Sequence, residues 1–249
     1  MPRTVLSQIQ QQIKSASLEL RAYSPAEMNW PKRALESAEK LIPRIERTAI
    51  SLKANVEDVL NASARLRTLW TVIRNHVVLP QKEIEEFDRL LRFDDILRES
   101  VTGEVVSKVV TKYLIDHDSD LRSNGRSDYP DLYLASADYS GLPLFRRQQG
   151  ENREYGAAIK GVERRPVRIP DGIEIKTCRD SIRVDCHHPH AGLHLVVVFT
   201  ESKRIFTVTD IAIAFLVSND YHEAGRNTTA TTVKYSFNGE RFISLLKTR

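Results

Sequence analysis

The sequence predicts a mixed α/β protein of the α+β kind: a mixed β-sheet flanked by helices, with a helical N-terminal region. Three observations predict it. Apolar residues recur at three- and four-residue spacing through the first hundred or so positions. From about Asp116 the pattern changes to alternation at period two, and Leu193 to Phe199 is nearly all apolar over a strand's length. Helices first and a sheet second point to residues 1–115 as a helical region and 116–249 as the sheet core, in one compact unit.

Val5, Ile9, Ile13 and Leu18 to Leu20 mark a first amphipathic helix, and Pro25, Pro31 and Pro43 punctuate the chain after it. Val56 to Val77 is the strongest helical pattern, with Val59, Leu60, Leu66, Leu69, Trp70 and Ile73 forming a broad apolar face. A shorter helix is expected after Pro80, and another over Val101 to Leu114. Asp116 to Tyr129 reads as a polar loop with Asn124-Gly125 as a turn. Pro130 to Leu134 then alternates as a strand, and residues 140–170 read as a basic loop.

Gly172-Ile173-Glu174-Ile175-Lys176-Thr177-Cys178 is the next strand. Ile173 and Ile175 turn to one face, Glu174 and Lys176 to the other. Ile182 to Val184 is expected as a return strand, and Leu193 to Thr200 as a central strand buried on both faces. Glu201 to Arg204 turns into a strand at Ile205 to Val208. A polar stretch, Ser218 to Thr231, precedes a last strand at Thr232 to Phe237 and a short C-terminal helix around Phe242 to Leu246.

Composition bounds the class. The 249 residues are 41% hydrophobic and 28% charged, as in a soluble globular protein. A net charge of +4, from 37 basic and 33 acidic residues, permits an anionic partner without demanding one. Two cysteines, Cys178 and Cys186, are too few for a disulfide framework and suggest a reducing compartment. Residues 1–22 lack the apolar core of a secretory signal, and no run reaches the length of a membrane span. The expected setting is cytoplasmic, of bacterial type, with no membrane.

The chemistry gathers at Glu174 and Lys176. Phosphodiester cleavage needs an in-line nucleophile and neutralised phosphate charge, which Mg²⁺ held by one or two carboxylates supplies. A lysine beside it serves as a point charge or a base. The required parts are an acidic residue on one strand, and an acidic residue plus Lys on a neighbour. Asp131 follows Pro130 at the start of one strand, and Glu174 and Lys176 share another. Two competitors fail on context. Glu201-Ser202-Lys203 lies in a turn, and Pro170-Asp171 stands only three residues before Glu174, where it cannot belong to a partner strand.

Pro130-Asp131 and Glu174-Ile175-Lys176, each flanked by apolar residues, resemble the two halves of the PD-(D/E)XK nuclease motif. The resemblance implies a restriction-endonuclease-like fold, with Asp131 and Glu174 binding Mg²⁺, the Ile175 carbonyl a further ligand, and Lys176 positioning or activating the water. Glu174 follows Asp131 by 43 positions, which implies an insertion between the two strands. Chain size and layout look like type II restriction endonucleases, which implies a homodimer cutting double-stranded DNA at a short sequence, with residues 1–115 for dimerisation or clamping. The alternatives are a structure-specific repair or recombination nuclease of the same superfamily, and a non-catalytic DNA- or zinc-binding regulator.

Candidate DNA contacts come from three places. Arg146 and Arg147 open a basic stretch running to Arg168 that suits phosphates, or serves as an ordinary solvated loop. His187, His188 and His190, in the run from Cys186, suit phosphates or bases, or with His194 and Cys186 a zinc ion. Arg226 and Asn227 carry the donors that reach base edges. No Gly-rich phosphate loop and no nucleophile elbow is present.

Overall fold

The computed structural model describes residues 4–19, 30–76, 81–82, 84–85, 106–123, 130–136, 167–182, 190–203, 205–216, 220–226, 233–237 and 239–247. They form a mixed α/β fold around a six-stranded mixed sheet. The helices are α1 (Val5–Glu19), α2 (Trp30–His76) and α3 (residues 106–117). The strands are β1 (Leu121–Ser123), β2 (Leu132–Leu134), β3 (Val167–Arg179), β4 (His190–Ser202), β5 (Ile205–Leu216) and, at the far edge, β8 (Ile243–Ser244). Their order is β1-β2-β3-β4-β5-β8, antiparallel throughout except for the parallel pair β3–β4. Strands β6 (Tyr221–Arg226) and β7 (Val233–Phe237) form a separate two-stranded ribbon. Among the described residues no helix is long and apolar enough to cross a membrane.

The alternation read from the sequence sorts the side chains of the central strands. Ile173, Ile175, Leu193, Leu195, Val197, Ile211, Ile213 and Phe215 face the helices, in one core with residues of α1, α2 and α3. Cys178, Val196, Val198, Ala214 and Leu216 face the other way, and Phe237 of the ribbon covers them. Leu193 to Phe199 is buried throughout, as expected of a central strand covered on both sides. A bulge in the β4–β5 pairing sets Val198 against Asp210 but Phe199 against Val208. That extra residue shifts the parity, so Val208 and Ile211 reach the same core although three positions apart.

α2 departs from the expected punctuation. Pro31 sits in its first turn, where a missing N–H costs nothing, and Pro43 lies inside the helix. An internal proline costs about 3 kcal/mol. Against that, Leu41, Ile42, Ile45, Leu52, Val56 and Leu60 continue one buried stripe through Pro43. Each is worth about 1.5–3 kcal/mol of burial, so the stripe prevails and the helix runs on. α1 begins as read, with Thr4 as its cap: the Ser7 N–H donates to Thr4 Oγ1 at 3.2 Å.

Other expectations are corrected. Residues 121–123, read as loop, form β1, and residues 167–170, also read as loop, already belong to β3. β5 runs past Val208 to Leu216, because the bulge carries it beyond Asp210. The polar stretch 218–231 contains β6. Of the return strand expected at Ile182 to Val184 only Ile182 is described: it lies in the bend that follows Asp180, where the chain leaves β3 at φ 65°, and β4 runs parallel to β3. Residues 183–184 lie outside the described residues. The C-terminal helix is absent. A 3-10 turn at Gly239–Arg241 leads into β8, which pairs Ile243 with Ile213, because an edge strand of β5 outweighs the helical preference of so short a segment.

Candidate metal site on the β2–β3 edge

The pairing of β2 with β3 brings the sequence candidates together. Leu132 faces Ile173 and Tyr133 faces Gly172 in an antiparallel register. Asp131, at the bend that opens β2, therefore arrives beside Glu174, 43 positions later in the chain. β2 goes no further along β3, and the Asp131 carboxylate takes over where the strand stops: the Ile175 N–H donates to Asp131 Oδ2 at 2.7 Å. Within a strand, the N–H and C=O of one residue point to the same side. The Ile175 carbonyl thus faces the same edge as Asp131.

Glu174 and Lys176 share the face away from the helices. Glu174 is 6% exposed, and its Oε1 accepts from Lys176 Nζ at 2.5 Å. Glu174 Oε2 is buried with no hydrogen-bond partner among the described residues. A buried carboxylate oxygen without a partner is costly, and a cation relieves the cost. Burial, and then the neighbouring charge of Glu174, push the Asp131 carboxyl up to about 7, against lowering by the Ile175 N–H and Lys176. A site that resists two adjacent negative charges is one that a divalent cation would complete.

The donor set is two carboxylates and one carbonyl, all oxygen. Among the described residues no group of three or more His, Cys, Asp or Glu side chains gathers around one point. Oxygen donors of this hard kind suit Mg²⁺. The residues therefore fit the ion that the sequence pattern calls for: Asp131, Glu174 and the Ile175 carbonyl would hold it.

Behind Glu174 stands a residue whose part the sequence did not disclose. His194 pairs in register with Glu174 across β3–β4 and is 1% exposed. Its Nδ1 lies 2.9 Å from the Gly192 carbonyl, and its Nε2 lies 2.9 Å from the Tyr221 hydroxyl. A carbonyl only accepts, so Nδ1 carries hydrogen, and in the neutral ring Nε2 accepts from the phenol. Both nitrogens are engaged within the protein, Nδ1 by the Gly192 carbonyl and the Nε2 lone pair by the Tyr221 hydroxyl. The signal available was a histidine inside an otherwise apolar central strand. Tyr221 and Phe237 pack edge-on to each other and to His194, which anchors the ribbon beside the site strand.

The remaining candidates are placed only in part. Arg146, Arg147, Cys186, His187, His188 and Asn227 lie outside the described residues. His190 opens β4 and Arg226 closes β6, with their side chains outside them too. Cys178 is buried with Val196 and Val198, a small apolar filler as read. Comparison with protein-family models, with curated proteins and with solved structures finds no match.

Proposed function

We propose that this chain is a Mg²⁺-dependent nuclease of the PD-(D/E)XK superfamily. It hydrolyses phosphodiester bonds of double-stranded DNA at a specific short sequence, as a homodimeric type II restriction endonuclease does. The observation that carries the reading is the meeting of Asp131 with the Ile175 N–H beside Glu174, whose Oε2 is buried without a hydrogen-bond partner among the described residues. Two strand positions far apart in sequence converge on one edge with the oxygen ligands that phosphoryl chemistry uses.

Bound there, Mg²⁺ supplies positive charge toward a phosphate and a water of lowered pKa. The chain's own residues do the rest. Asp131 and Glu174 would hold the ion at the sheet edge, and the Ile175 N–H keeps the Asp131 carboxylate in place there. The Lys176 ammonium, now held by Glu174 Oε1, is 23% exposed at its side chain. With Glu174 holding the ion, Lys176 would stand where its ammonium can hold the attacking water or a non-bridging phosphate oxygen. The double-stranded DNA substrate and the homodimer rest on the motif resemblance and the chain's layout.

A plasmid digest with Mg²⁺ tests the reading. Discrete bands support a sequence-specific endonuclease, and a smear or junction-only cutting points to a repair or recombination enzyme. Asp131→Ala and Lys176→Ala should each abolish cleavage while DNA binding persists. Full activity in either variant, or stoichiometric zinc without magnesium-dependent cutting, overturns the proposal.

A further inference from the structure

Gly172 stands two residues before Glu174 on the same face of β3, and it is buried. A Cβ placed on it would lie 2.2 Å from Pro130 Cγ, 2.3 Å from Pro130 Cβ and 2.9 Å from the Leu132 carbonyl oxygen. No side chain larger than hydrogen fits there. Nor is the glycine needed for a left-handed turn, since among the described glycines only Gly192 has a positive φ. Gly172 is required for space, and Pro130, itself buried, occupies that space.

The consequence concerns Asp131. The chain crosses β3 at Gly172 with Pro130, bends at Asp131, and enters β2 at Leu132. The proline ring limits the backbone on both sides of its own nitrogen. Seated in the gap over Gly172, it fixes where the bend falls and so where the next carboxylate points. That carboxylate spans from the bend to the Ile175 N–H, three residues along β3 from the gap. We infer that Gly172 and Pro130 are positioning residues: together they form a notch that sets Asp131 against Glu174 for divalent-cation binding. The inference rests on the metal-site reading and extends it to two residues that touch no ligand.

The test reads metal binding directly, by electron paramagnetic resonance of Mn²⁺ on the purified full chain, alongside thermal unfolding and Mg²⁺-dependent plasmid cleavage. Gly172→Ala should weaken Mn²⁺ binding by about tenfold or more, as a close-contact coupling of this kind does. Pro130→Gly, which empties the notch, should weaken it less and leave the unfolding midpoint near that of the wild type. The double variant Pro130→Gly/Gly172→Ala should bind Mn²⁺ more tightly than Gly172→Ala, because both Pro130 contacts are gone and only the 2.9 Å approach to the Leu132 carbonyl oxygen remains. Wild-type Mn²⁺ affinity in Gly172→Ala overturns the inference, as does a double variant as weak as Gly172→Ala. If Gly172→Ala does not fold, Pro130→Gly decides: a loss of Mn²⁺ affinity supports the notch and wild-type affinity sinks it. Asp131→Ala separates the notch from the metal site. Wild-type Mn²⁺ binding there defeats the metal-site reading itself, whereas lost binding there with unaltered Gly172→Ala defeats only the notch.

Discussion

Asp131 accepts the Ile175 N–H at 2.7 Å, in the position a neighbouring strand's carbonyl would take if β2 were longer. A side chain thus finishes a sheet ladder, and the residue that finishes it is also the carboxylate beside Glu174. Structural and chemical demands on Asp131 conflict, since its N–H partner favours the charged form while burial and Glu174 oppose it.

The conflict gives a pH signature. Asp131 is raised from 3.8 to about 7, so between those values the folded chain holds a proton that the unfolded chain has released. The contribution stabilises the metal-free protein below pH 4 and is lost as pH rises towards 7. Urea unfolding at pH 5 and pH 7.5 should show this fall in the wild type and a smaller one in Asp131→Asn. Equal falls in the two proteins would count against it. Magnesium needs the ionised carboxylate, so metal affinity should rise with pH over the same range.

Magnesium should in turn stabilise the fold. At one hundred times its dissociation constant a ligand adds about 2.7 kcal/mol. For a chain of this size that is about 5–10 °C in unfolding temperature. Glu174→Gln should abolish the rise, because it removes the charge that carries the unpartnered Oε2. A rise that survives in Glu174→Gln would place the ion elsewhere.

Tyr221→Phe should separate scaffold from site. It leaves His194 Nε2 buried without its hydroxyl partner, which costs about 1–3 kcal/mol. The unfolding temperature should drop while the magnesium-induced rise keeps its size. No drop would mean that the phenol–imidazole contact does not hold the ribbon.

What the sequence disclosed came from local periodicity. The alternation of Ile173 and Ile175 with Glu174 and Lys176 is a two-residue repeat, and it placed each side chain on the face where it lies. Asp131 was legible as a strand-opening acid, but its bond to Ile175 was not, because no local pattern records which strands pair across 43 positions. α2 was read in pieces because proline acts locally, while the stripe that overrides Pro43 is a property of the whole core. The bulge before Asp210 and the ribbon strand β6 were missed for a related reason: each owes its form to a partner strand. Gly172 was passed over because a glycine's letter does not tell a need for space from a need for an unusual backbone angle.

The outer edge of β5 has a different importance. Where β8 does not reach, α2 supplies the partners: Asn61 bonds both the N–H and the carbonyl of Phe206, and Glu57 accepts the Val208 N–H. Farther along, Gln12 of α1 accepts the Phe215 N–H. These side chains stand in for a seventh strand. They deny this stretch of β5 to any other chain while α2 stays in place. Should α2 lift on heating, β5 becomes a template for end-to-end joining of copies. Thermal denaturation of this protein should then be irreversible from the first step that frees Asn61, and aggregation, not refolding, should come after it.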